Sequence, residues 1–145
     1  MSESVTLVQD KDFRFANTFG EGIPVLHADE APPLGGGTGP TPIQLLAAAV
    51  GNCLAASLLF ALRKFKNAPE PIRASVESQV GRNEENRLRV QRLKVRLDLG
   101  VPAGSLAHAE RALAQFEDFC TVTASVRAAI PVDVEVYDAG GQRMK

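Results

Sequence analysis

Between Leu45 and Leu62 the chain runs for eighteen residues without a charge. Thr41 offers an N-cap just ahead of this stretch, and Pro42 suits the first helical position. Arg63, Lys64 and Lys66 follow it, where cations complement the helix dipole, and Asn67, Pro69 and Pro71 stop it. These signals predict one helix from Pro42 to about Phe65, about 35 Å long at 1.5 Å per residue. A helix that is apolar all round must be buried all round, in a membrane or in the centre of a fold. Its length touches the membrane-spanning threshold. Its many alanines, with Gly51, Asn52, Cys53 and Ser57, dilute its hydrophobicity. The rest of the chain supplies half-apolar elements that need a partner, so a buried core helix is expected and no membrane partner.

The flanking segments read mostly as strands. Val5 and Leu7, then Phe13 and Phe15, alternate with polar residues around a turn at Gln9-Asp10-Lys11-Asp12. Gly20 and Gly22 mark a bend before a strand at Ile23 to His27. The proline- and glycine-rich segment Ala31 to Pro42 has no phosphate-binding pattern and reads as a connector. After the helix, Ala74, Val76 and Val80 share one strand face. A polar turn follows at Gly81 to Asn86. Leu88 and Val90 then shift phase to Leu93, Val95, Leu97 and Leu99, which implies a bulge near Gln91 and Arg92. The opposite face, with Arg92, Lys94, Arg96 and Asp98, is a solvated one. Ser105 is expected to cap a helix with Leu106, Ala109, Leu113 and Phe116 inward, and a second short helix spans about Thr121 to Ala129. Ile130, Val132, Val134 and Val136 form the last strand. The order predicts a single α+β domain over residues 1–145 with one mainly antiparallel sheet.

At 145 residues and a net charge of −1, the chain has no global pull toward nucleic acid. Its first residues lack a basic region followed by an apolar one, so a cytoplasmic protein with reduced thiols is expected. It has two cysteines, no tryptophan and two histidines. His27 and His108 lack metal-ligand spacing around the cysteines, so no metal site is assigned. Cys120 sits at the predicted start of a helix, where backbone N–H groups and the hydroxyls of Thr121 and Thr123 favour a thiolate, while Glu117 and Asp118 oppose it. Cys53 lies mid-helix and needs a cation to ionise. Without one it is a small apolar residue in an alanine-rich core. On the residues alone, inert structural cysteines are favoured over a redox pair.

A resemblance changes that weighting. Pro40-Thr41-Pro42-Ile43-Gln44-Leu45-Leu46-Ala47-Ala48-Ala49-Val50-Gly51-Asn52-Cys53-Leu54 closely resembles the signature of the OsmC/Ohr superfamily, the osmotically induced protein C and organic hydroperoxide resistance proteins. So do Phe119 to Val126 with the Val132 to Val136 strand, the glycine-rich loop Gly35 to Gly39, and the order of elements over the whole chain. The resemblance implies an OsmC-like fold: an intertwined homodimer with a long buried central helix packed on the sheet and active sites at the subunit interface. It implies a thiol-dependent peroxidase acting on organic hydroperoxides. Cys53 is then the peroxidatic cysteine and Cys120 the resolving one. A dithiol reductant, of lipoyl type in characterised members, closes the cycle, and no cofactor is needed.

The family also pairs an arginine from the N-terminal region with a glutamate just after the helix-starting proline. Arg14 is the only arginine before the helix, while Ile43 and Gln44 stand where the glutamate is expected. Gln44 can hydrogen-bond but carries no charge. Gln44, Leu54 and Phe60 are expected to line the substrate site. The missing carboxylate keeps a second reading open: a non-catalytic module of the same fold that binds an apolar small molecule at the dimer interface.

Overall fold

The computed structural model of the protein describes residues 1–145. Its contacts divide the chain into two compact units, Met1–Leu46 and Ala47–Lys145. Where one mainly antiparallel sheet was expected, the strands of the chain form two three-stranded sheets, one per unit.

In the first unit, β1 (Thr6–Lys11), β2 (Arg14–Thr18) and β3 (Leu26–Ala28) form an antiparallel sheet in chain order. The expected turn at residues 9–12 is instead mostly strand. β1 continues to Lys11, and the hairpin turns at Asp12, whose φ of 51° is one that aspartate tolerates. The register skips between Gln9 and Lys11, so Asp10 is the extra residue of a bulge. The third strand is shorter than read and starts at Leu26. β1 is exposed along its whole length, and Leu7, Val8, Phe13, Phe15 and Phe19 all reach solvent.

The connector after β3 is built around one carboxylate. Asp29 is 3% exposed. It accepts hydrogen bonds from the N–H groups of Glu30, Gly36 and Thr38 and from the Thr38 hydroxyl, at 2.8–3.1 Å. The Thr38 N–H is the chief cause that lowers its carboxyl below the ordinary aspartate range, against the opposing effect of burial. The glycine-rich segment is thus a folded loop that delivers the chain to the long helix.

That helix, α1, spans Pro42–Arg63. It opens with a capping box. The Thr41 N–H donates to Gln44 Oε1 at 2.9 Å, and the Gln44 N–H donates to Thr41 Oγ1 at 3.3 Å. It closes where Lys66 adopts φ 60° and Asn67 Nδ2 donates to the Leu62 carbonyl at 3.1 Å. In the second unit it buries a stripe with helical periodicity: Ala47, Val50, Gly51, Leu54, Leu58, Ala61 and Leu62. The other side carries Ala48, Ala49, Asn52, Ala56 and Phe60 and is exposed in the single chain, whereas the sequence implied burial all round.

The stripe packs on β4 (Arg73–Arg82), β5 (Leu88–Asp98) and β6 (Val132–Tyr137) through Leu93, Val95, Leu97 and Val136. Gly51 sets the distance: a Cβ there would lie 2.9 Å from Val76 Cγ2. β4 and β5 are antiparallel with the expected bulge, since Gln79 faces Arg92 and Val80 faces Val90, which leaves Gln91 unpaired. Gln91 folds its amide over Gly81 and donates to the Arg82 carbonyl at 3.3 Å. The phase shift keeps Val80, Val90 and Leu88 on the core-facing side, yet Val80 and Leu88 are exposed. The outer face is charged as expected, with ion pairs Arg92–Asp133, Arg96–Asp98 and Arg143–Glu135.

β6 runs parallel to β5, which departs from the mainly antiparallel pattern. Its connection is a helical crossover that brings the chain back to the end where β5 began. The crossover contains a 3-10 turn at Ala103–Ser105, α2 (Ala109–Gln115), a second 3-10 turn at Phe116–Phe119, and α3 (Thr121–Val126). Ser105 does not cap a helix. Its hydroxyl donates to the Pro102 carbonyl at 2.8 Å within the first turn, and α2 starts after His108, at φ 53°. α3 ends at Val126 rather than Ala129.

Two outcomes are expected. Gly51→Leu should destabilise the fold by about 1–3 kcal/mol through overpacking against Val76, read as a lower urea midpoint at unchanged m-value. Because the folded-state pKa of Asp29 is depressed, its contribution to stability is present above about pH 4 and is lost as pH falls further. Asp29→Asn should therefore flatten the acid limb of the stability–pH curve relative to the parent protein. Parallel curves would show that Asp29 does not supply this dependence.

Candidate active site

The second unit brings Cys53 and Cys120 together from opposite ends of its sequence. Cys53 lies on α1 one residue before the buried Leu54 and is partly buried against the core. Cys120 is 0% exposed and precedes α3, at the end of the 3-10 turn that contains the core residue Phe116. Both are free thiols, and each is the other's immediate neighbour. Burial pushes the Cys120 thiol above its ordinary value, and the Cys53 thiol pushes the same way; the Thr123 hydroxyl and N–H pull against them. The Cys120 thiol donates to Thr123 Oγ1 at 2.9 Å, and Thr123 is fully buried.

Glu117 does not act on Cys120 as a free negative charge. Burial opposes its ionisation, but Lys145 and Arg127 both grip its carboxylate and hold it below the ordinary glutamate range. Phe119, which the sequence reading gave no role at the site, meets Phe60 edge to face, with ring centroids 5.5 Å apart and planes at 76°. Lys64 Nζ lies 5.3 Å from the Phe119 centroid and 5.8 Å from that of Phe60. Of the residues expected to line a substrate site in this unit, Phe60 is exposed and Leu54 is fully buried in the core.

Arg14 and Gln44 belong to the first unit. Arg14 Nε lies 3.0 Å from Asp10 Oδ2, although its N–H is aimed at no acceptor. His27 Nε2 lies 3.7 Å from the same oxygen. The bulge at Asp10 supplies this carboxylate. Sequence reasoning missed it because residue 10 read as part of a turn, and the only signal was an acidic residue four positions before the arginine. The Gln44 side-chain oxygen, Oε1, is committed to the capping box. The first unit also holds a half-open cavity of about 210 Å³ lined mainly by Leu7, Phe13, Phe15, Ala28, Pro42 and Leu45.

Chemically, two neighbouring thiols in an apolar core, one reachable and one sealed, can cycle between dithiol and disulfide. No group of three or more metal-ligating side chains is present.

No curated protein matches the chain by sequence. Solved structures match it in fold. An OsmC-like protein from Mycoplasma pneumoniae superposes with a TM-score of 0.76 at 11% identity, over 95% of this chain and 97% of that one. An organic hydroperoxide resistance protein OsmC from Legionella pneumophila gives 0.67 at 19% identity, over 94% and 96%. The organic hydroperoxide resistance protein OhrB of Bacillus subtilis gives 0.67 at 17%, over 94% and 98%. The family model described as OsmC-like protein matches residues 35–135, which include the long helix and both cysteines, and the chain therefore belongs to the OsmC-like proteins of the OsmC/Ohr superfamily.

Proposed function

We propose that this protein is a homodimeric, cytoplasmic thiol peroxidase that reduces organic hydroperoxides through a cycle between Cys53 and Cys120. The neighbouring pair of free thiols carries the reading. Cys53 is the more accessible of the two and takes the first step. Its thiolate attacks the distal oxygen of the hydroperoxide. The O–O bond breaks, the alkoxide leaves and takes a proton as alcohol, and Cys53 becomes a sulfenic acid. The Cys120 thiol is held protonated at neutral pH, which suits a resolving rather than a peroxide-attacking role. Its sulfur then forms the S–S bond as the sulfenic oxygen departs as water. A dithiol, of lipoyl type in this reading, reduces the disulfide by exchange. Arg14 is the cation proposed to hold the Cys53 thiolate and the peroxide. It already has a carboxylate partner in Asp10, in a chain without the family glutamate at Ile43 and Gln44.

The dimer in this reading is supported by what a single chain leaves bare. β1 with its apolar side chains, the outward side of α1, and Val80 and Leu88 beyond the bulge are all exposed. Exposed apolar surface of this kind on each unit calls for a partner, here a second copy. The alternative, an apolar-ligand module without turnover, is favoured by the 210 Å³ apolar cavity and by Gln44, whose oxygen is taken up by the helix cap.

With cumene hydroperoxide the parent protein should form an intrachain Cys53–Cys120 disulfide faster than with hydrogen peroxide, as read by peptide mapping. Cys53→Ser should reduce turnover to the uncatalysed background, and Cys120→Ser should stop at a sulfenic acid trapped by dimedone. Slow oxidation at equal rates with both peroxides would leave the ligand-binding module as the better reading. Sedimentation equilibrium should give twice the chain mass, and a monomer at micromolar concentration would remove the dimer from the proposal.

A further inference from the structure

Cys120 must act as a thiolate twice in the proposed cycle, once as nucleophile and once as leaving group, yet it sits where a charge is costly. It is fully buried in a cluster with Val50, Leu54, Leu93 and Phe116. A sulfur anion there needs a donor. α3 has six residues, too short for its dipole to serve. The cations of this region are engaged elsewhere: Arg127 and Lys145 pair with Glu117, and Lys64 lies over the exposed Phe60 and Phe119 rings. The Cys53 thiol on α1 is the titratable group that faces Cys120, and it opposes ionisation. Two groups of one residue remain beside the sulfur: the Thr123 N–H, which no side-chain exchange removes, and the Thr123 side chain, itself fully buried, with Oγ1 at 2.9 Å.

We infer that the Thr123 hydroxyl is the side-chain donor that stabilises the Cys120 thiolate, and so controls both the resolving step and the reduction of the disulfide. The inference rests on the reading of Cys53 and Cys120 as a redox pair. In the thiol state Cys120 donates to Thr123. When the thiol loses its proton, the hydroxyl turns about its C–O bond and donates to the sulfur, since a hydroxyl is both donor and acceptor. In the resolving step the Cys120 electron pair forms the S–S bond while the sulfenic S–O bond breaks and the oxygen leaves with a proton as water. In reduction the external dithiol attacks Cys53, the more accessible sulfur. The S–S electron pair passes to Cys120, where Thr123 receives it. The second thiol of the reductant then releases Cys53 from the mixed disulfide, and the dithiol leaves oxidised. Exchange runs faster as the leaving thiol becomes more acidic, so the hydroxyl acts directly on the rate.

The test uses the full-length protein, oxidised with diamide to the intrachain disulfide and reduced with dithiothreitol, so that it needs no peroxidase activity. Thr123→Val, close in shape, should slow release of the Cys120 thiol by about tenfold to a hundredfold, the range set by one hydrogen bond to a charged group. It should also move the Cys120 titration, followed by thiolate absorbance, to higher pH. Thr123→Ser keeps the hydroxyl and should restore both the rate and the titration. Equal rates and titrations in Thr123→Val and the parent would overturn the inference, as would a Thr123→Ser variant as impaired as Thr123→Val. If the parent forms no intrachain disulfide with diamide, the redox-pair reading fails and the inference goes with it.

Discussion

The contact of α1 with the β4–β5–β6 sheet is the constraint on which the second unit depends. Gly51 lets the helix approach until it touches Val76, and Val50, Leu54, Leu58 and Leu62 then bury themselves against Leu93, Val95 and Leu97. A glycine inside a helix costs about 1 kcal/mol against alanine. That cost is offset by the apolar area removed from water along the stripe, at roughly 25 cal/mol per Å². The same rotation of the helix that faces these residues inward leaves Cys53 at the edge of the stripe, half in the core and half out. The crossover that brings β6 alongside β5 carries Phe116 into the same core and places Cys120 beside Cys53.

The pair is asymmetric for reasons of packing, not of chemical identity. Two thiols of one residue type differ because one terminates a turn inside the core and the other rides on the edge of a helix. Burial keeps the inner thiol protonated, and the neighbouring hydroxyl tempers that effect. The division of labour proposed for the cycle grows out of this difference in environment.

Much of this was legible along the chain. The uncharged run with Thr41, Pro42 and Asn67 located α1 at both ends, because capping and helix termination are local. The phase change from Val90 to Leu93 located the bulge, because a strand has a fixed period of two. The two cysteine segments identified the family. Other features depend on contacts distant in sequence and left little local trace. The parallel pairing of β6 comes from a crossover of more than thirty residues, and an alternating strand reads alike in either direction. Asp10 joined Arg14 only through a bulge that a polar run disguised as a turn. Leu54 is adjacent in sequence to Cys53, which suggests a substrate contact, yet one residue along a helix is a rotation of about 100° and carries it into the core.

The bulge in β5 has a consequence for how this sequence can vary over evolution. Gln91 is a residue that the ladder does not count: removing it would leave Val80 opposite Val90 and Gln79 opposite Arg92. A descendant could lose that position without transferring any side chain to the other face of the sheet. The amide of Gln91 occupies the space that a Cβ at Gly81 would fill. Gly81 and Gln91 therefore form one heritable unit. Once the glutamine is gone, the reason to keep a glycine across the hairpin goes with it, and the two positions should drift together.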